Sequence, residues 1–207
     1  MITERFNEPD NLEIIRDQIA GIIALEMDEQ YAMASDDSDP VAEDYFTRVL
    51  VENDEPLFAG GDNGDIFPLV NVCVDNRVLA DGTSAVNSDK AKATLYVDCY
   101  QIGNNSGRFA GRKATIKAWK LARCVRRILR SDYYKYLRLR GLVSDVKIVE
   151  MRAGVPAMND SSIKVVLVRI TLEVTYDEMA PVINGETLEL IPVQISDDNG
   201  QVVVDIK

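Results

Sequence analysis

Apolar residues recur every three or four positions along DNLEIIRDQIAGIIALEMDEQYAMA (10–34): Leu12, Ile15, Ile19, Ile22, Ile23 and Met27 share one stripe, with Arg16, Asp17 and Glu26 between them. That period predicts an amphipathic helix. Asp10 or Asn11 offers an N-cap side chain, and Glu13 the reciprocal carboxylate. A second stripe, Ala114, Ala118, Leu121, Val125, Ile128 and Leu129, predicts a helix from 111 to about 138, closed by Gly141 as C-cap. Elsewhere the period falls to two. In 92–103, Leu95, Val97 and Cys99 alternate with Tyr96, Asp98 and Tyr100, the pattern of a strand with one buried face. Strands are also predicted over 66–76, where Pro68 marks a start or an edge, over 144–154 and over 163–178. Segment 41–58 is ambiguous, with a short helix as one reading.

Turn chemistry separates these elements. The stretch 34–40 is an acidic breaker ending at Pro40, 59–65 and 104–111 are glycine-rich, 77–90 is long for a hairpin connection, and 155–162 reads as a turn. The tail 186–207 reads as a hairpin around SDDNG, behind a linker at 179–185. An isolated hairpin is marginal in water, so this one needs a surface to pack on. The order specifies an α+β fold: a mostly antiparallel sheet of about four strands with two amphipathic helices on one face, plus a C-terminal β-hairpin arm. Residues 1–178 are expected to form the α+β domain, with 35–65 an acidic loop or insertion, and 179–207 the linker and arm.

The chain has 207 residues, 46% of them hydrophobic, enough for one substantial core. No apolar run reaches about 18 residues, so no membrane contact is expected. The N-terminus lacks a basic region followed by an apolar run and does not read as a secretory signal. A soluble protein made in a cytoplasm is the expectation.

Charge changes the picture more. The net charge is −11, but it is segregated. Residues 1–65 hold 18 acids against 3 bases, whereas 108–140 hold 12 bases against the single acid Asp132. Along the second helix Lys113, Lys117, Lys120 and Arg127 follow one stripe, and Arg123, Arg126 and Arg130 another. Oppositely charged surfaces on one chain steer association and fix register between protein copies. These seven cations are the candidate partner-binding residues.

The candidate chemistry is sparse. There is no histidine, which removes the commonest general base and zinc ligand. Cys73, Cys99 and Cys124 match no metal-binding or redox spacing and read as small buried apolar residues. DNGD (62–65) lacks the ligand spacing of a calcium loop. Asp98 with Asp145 and Lys147 is a faint match to a metal-dependent nuclease, but its D-x-K follows a helix rather than the second strand of a hairpin. No enzymatic activity and no cofactor or metal is expected. Nucleic-acid binding through the basic helix is the alternative, with Tyr133, Tyr134 and Tyr136 at its end as stacking or packing groups; an acidic domain would repel a duplex.

The order of elements, with the long helix entered through GRFAGRKAT, resembles the tail terminator (tail completion) proteins of tailed bacteriophages over residues 10–178. The resemblance implies an α+β subunit forming a hexameric ring that caps the tail tube, halts its growth and faces the head-side connector, without catalysis or cofactor. It implies a virion component assembled in the bacterial host cytoplasm. Its partners would be further copies of itself, the tail tube protein, a neck or connector protein and the tail sheath protein. Genomic DNA would pass the lumen without specific binding. The long 35–65 segment and the extended arm depart from the family's minimal form. Another neck component, such as a connector or stopper, shares most of these features.

Overall fold

The computed structural model describes residues 10–37, 42–52, 68–79, 90–103, 110–154, 164–177, 194–196 and 202–205. The fold class is the expected α+β. Helix α1 (Asn11–Asp36) begins with the capping box written in its sequence: Asp10 accepts from the Leu12 amide at 2.9 Å, and the Asp10 amide donates to Glu13 at 3.1 Å. A 3₁₀ turn (Ala42–Asp44) follows, then strands β1 (Arg48–Val51), β2 (Leu69–Leu79) and β3 (Lys90–Gly103), helix α2 (Ala110–Leu129), and strands β4 (Val143–Gly154) and β5 (Lys164–Asp177). Strands β6 (Gln194–Ser196) and β7 (Val202–Asp205) pair antiparallel in a two-stranded ladder of their own, the expected hairpin.

The main sheet has five strands in the order β1-β2-β3-β5-β4. Four are antiparallel. The fifth, β1, runs parallel to β2, with Val49 opposite Val70. It falls in the ambiguous segment 41–58, whose expected short helix shrinks to the 3₁₀ turn. Four residues, RVLV, followed at once by acids carry too short a period to be read; pairing with β2 makes the strand. Pro68 stands just before β2, and its carbonyl accepts the Arg48 amide at 3.0 Å, so its missing N–H costs the ladder nothing there. Strand β4 forms the other edge, and its ladder with β5 is broken twice, between Val143 and Asp145 and between Ile148 and Glu150.

Both helices cover one face. Alternation puts Leu95, Val97 and Cys99 of β3 beside Val70 and Val72 of β2 and Ile170, Leu172 and Val174 of β5, all fully buried. α1 lays Ile15, Ile19, Ile22, Ile23 and Met27 over the β1–β2 side, while α2 lies over β3 and β5 with Ala114, Ala118, Ala122 and Val125 inward. The alanines let the helix axis come close to the sheet. A smaller cluster, Leu69, Tyr100 and Val165, forms on the opposite face.

Two boundaries differ from expectation. α2 stops at Leu129, not near 138. Ser131 caps a 3₁₀ turn (Asp132–Tyr134) by accepting from the Tyr133 amide at 3.3 Å, and Leu137 and Arg138 then take left-handed φ of 52° and 57°. Gly141, with φ of 102°, turns the chain into β4 instead of capping α2. Of the three cysteines only Cys99 is fully buried; Cys73 and Cys124 are half-buried. The expected loop at 59–65 with its DNGD, the middle of the 77–90 link, the turns at 104–109 and 155–162, and the linker 179–185 lie outside the described residues.

Candidate cationic interface on the second helix

α2 is amphipathic because its apolar residues repeat on one stripe while every third or fourth position between them is basic. Lys113, Lys117, Lys120, Arg123, Arg126, Arg127 and Arg130 are all exposed on the side away from the sheet. The structure splits them into two flanks. On the α1 side, Asp44 of the 3₁₀ turn lies 3.0 Å from the Lys117 ammonium and 3.4 Å from that of Lys120. This carboxylate accounts for two of the seven cations. Beside it, Asp44, Tyr45, Lys120, Arg123, Cys124 and Arg127 line a cleft of about 250 Å³. Burial raises the Cys124 thiol above its ordinary pKa, against the lowering effect of Arg127, Arg123 and Lys120, so the thiol stays protonated despite its basic surroundings.

On the other flank the end of α2 faces β4. Arg126 and Arg130 join Lys135 and Lys147 around a wider cleft of about 420 Å³. Asp132 and Asp145 also reach it, and Leu129, Val146 and Ile148 form its apolar floor. Lys113, Arg126, Arg127, Arg130, Lys135 and Lys147 make no ion pair with a described residue. Arg123 donates from Nε to the Trp119 carbonyl at 3.3 Å. The seven residues therefore share one helix surface but not one environment.

The knuckle after α2 carries groups that sequence reasoning left undecided. Tyr134 packs inward and donates its hydroxyl to Glu26 of α1 at 2.5 Å. Burial and that bond raise its pKa. Tyr133 is 68% exposed, and the Arg138 guanidinium lies 4.6 Å over its ring and 5.2 Å over that of Tyr134. Arg138 also donates to the Tyr133 hydroxyl at 2.6 Å. Tyr133 and Tyr134 are thus held by packing and by Arg138.

The faint nuclease constellation does not assemble. Asp98 is 2% exposed on the sheet face away from the helices, where Arg169 clamps it with two bonds of 2.7 Å. Asp145 pairs with Thr175, six positions along β5 from Arg169, or roughly 20 Å at strand rise. The residues lie too far apart to share one ion. Among the described residues no group of three or more carboxylates or thiols is placed to hold a metal. No described helix is long and apolar enough to cross a membrane.

The chain matches no protein-family model and no curated protein. Among solved structures it is similar to a chain of the virion of a native gene transfer agent particle, with 12% sequence identity over 67% of this chain and 85% of that one, at a TM-score of 0.38.

Proposed function

We propose that this chain is a structural virion protein: a ring-forming tail terminator that caps a phage tail tube, stops its growth and joins the tail to the head-side connector. One observation carries the reading. A single small domain exposes a dense cationic helix surface while the rest of the chain is strongly acidic, and its candidate catalytic residues are scattered. A closed ring needs two different, mutually complementary surfaces on every copy, and the segregation of charge along this chain supports such a pair. The resemblance of its element order to that of tail terminators supports the same role.

In this reading the ring is a hexamer. The cations of α2 meet acidic residues of a neighbouring copy or of a tail protein, setting register and on-rate more than raw stability. The tail tube protein and a neck or connector protein bind its two ends, and a tail sheath protein is a further partner. The C-terminal hairpin reaches a neighbour's sheet edge. Genomic DNA passes the lumen unbound, and the protein assembles in the bacterial host cytoplasm into the virion.

The test is electron microscopy of the purified protein alone and with tail tubes, which should show rings and capped tube ends. Reversing Arg123, Arg126 and Arg127 should abolish assembly and leave nucleic-acid affinity unchanged. A neck connector or stopper would give rings that bind connector and leave tube ends open. A second reading, nucleic-acid binding through 112–130, draws on Arg126, Arg127 and Arg130, which are exposed and ion-pair with no described residue. It requires a salt-sensitive DNA affinity that disappears with the same reversal.

A further inference from the structure

Four cations surround the cleft between α2 and β4, and their counterpart stands exposed at the far end of α1. There Asp28, Glu29, Asp36 and Asp37 are open to solvent, and none pairs with a described cation. Asp28, Ala32 and Asp36 form one row at four-residue spacing, and Glu29, Met33 and Asp37 the row beside it. Met33 is 52% exposed between its two acids. Acid, methionine, acid on the helix answers cation, apolar floor, cation in the cleft.

This helix end is electrostatically unfavourable by itself. The C-terminus of a helix carries partial negative charge and favours cations. The last turn of α1 contains no basic residue and closes on Asp36 and Asp37. Although its side chain reaches solvent, partial burial raises the pKa of the Asp28 carboxyl, and no described cation offsets it. An incoming positive surface would relieve both effects.

In one molecule the two surfaces lie on different flanks of α2. The 3₁₀ turn, which packs on α1, sits on the flank of α2 that holds Lys117 and Lys120, whereas the cleft lies on the opposite flank against β4. α2 stands between them. In the sheet, α1 covers β1 and β2, and the cleft borders β4 at the other edge. Among the described residues no ion pair joins the two surfaces within one molecule, so the charges of both are open to a second copy.

We infer that the cleft bounded by Arg126, Arg130, Lys135 and Lys147 receives the C-terminal end of α1 from a second copy of this chain, through Asp28, Glu29, Asp36 and Asp37 around Met33. The inference rests on the ring-subunit reading and names the pair of surfaces that would build the ring. The contact is heterologous: each copy offers one cleft and one helix end, so copies join head to tail. Asp132 and Asp145 at the cleft wall oppose any incoming anion, carboxylate or phosphate alike; the apolar floor of Leu129, Val146 and Ile148, which Met33 can cover and a phosphate backbone cannot, favours a protein occupant.

The experiment uses two full-length charge reversals, Arg126→Glu with Arg130→Glu, and Asp28→Lys with Glu29→Lys and Asp36→Lys, followed by sedimentation velocity. All five positions are exposed, so both variants should stay folded, the cleft reversal unfolding near the wild-type temperature and the helix-end reversal at that temperature or above it, since lysines suit a helix C-terminus. Each alone should self-associate at least about a hundredfold more weakly than wild type, as like charges are brought together. An equimolar mixture should assemble again, because in an alternating array every cleft meets a helix end of opposite sign. If the variants assemble like wild type, or the mixture stays monomeric, this pairing is wrong while the ring reading stands. A wild-type protein that remains monomeric at every concentration ends both. A labelled DNA duplex that binds wild type and is released by the cleft reversal, with assembly unchanged, overturns the inference in favour of a phosphate site.

Discussion

On the face of the sheet opposite the helices Asp98 and Arg169 form an ion pair whose two halves are unequally exposed. Asp98 is 2% exposed, whereas the Arg169 side chain is 39% exposed and lies 4.0 Å over the Tyr96 ring. The two 2.7 Å bonds satisfy Asp98, and the Tyr100 hydroxyl adds a longer one at 3.4 Å. Bonding to Asp98 also raises the Arg169 pKa, so the guanidinium stays charged. Arg169→Met keeps an apolar stem over Tyr96 but leaves a carboxylate buried without its cation. Breaking a buried pair in this way costs about 3–5 kcal/mol. Here the lower end, about 3 kcal/mol, applies, because water reaches the site where the guanidinium was. Asp98→Ala removes the other half. It leaves a guanidinium that water solvates where it stands, so the loss is that of charge-assisted hydrogen bonds, about 1.5–3 kcal/mol. Urea unfolding at one fixed protein concentration measures both. With slopes of about 1–3 kcal/mol/M, Arg169→Met should move the midpoint down by roughly 1–3 M, and Asp98→Ala by less. Equal losses, or a larger loss for Asp98→Ala, would refute the assignment of the cost to a stranded carboxylate.

Other expectations follow from the same structure. Asp10→Ala removes the capping box of α1 and should lower stability by about 1 kcal/mol in thermal unfolding, while Asp10→Asn retains most of it. Leu172→Ala, at the centre of the core, should cost about 2–5 kcal/mol, and Val149→Ala, exposed on β4, less than about 0.5 kcal/mol, by denaturant titration. Asp44→Ala should change stability by less than about 1 kcal/mol, since its partners are exposed lysines. Burial, with Asp98 nearby, pushes the Cys73 thiol up to about 11, so its alkylation, followed by peptide mass spectrometry, should keep rising with pH through 9; fully buried Cys99 should react only on unfolding.

Local signals dominate what the sequence made legible. The cap of α1 needs only Asp10 and Glu13, and the burial of Leu95, Val97 and Cys99 needs only alternation, so both could be read directly. β1 could not, because four residues hold too little pattern and its partner lies beyond a long connection. The end of α2 was hidden because SDYYKYLRLRG continues the helical composition, and only the Ser131 cap and the left-handed pair at Leu137 and Arg138 reveal the stop. The seven cations of α2 can be placed on one helix from their spacing, and the structure leaves all seven exposed. Spacing cannot show that Asp44 already holds two of them, or that Lys135 and Lys147 join Arg126 and Arg130, because those relations cross between elements. The clamp of Asp98 by Arg169 joins residues on different strands and likewise leaves no spacing to read.

The two breaks in the β4 ladder bear on how far self-association can run. A long strand at a sheet margin with uninterrupted register is a template onto which identical margins can zip without limit, and fibres grow that way. A doubled residue twists the strand and throws out of step any chain laid alongside it. Backbone-to-backbone polymerisation is discouraged at that rim. Growth through side-chain charges set at a fixed angle can instead end when the last copy meets the first and no surface is left open.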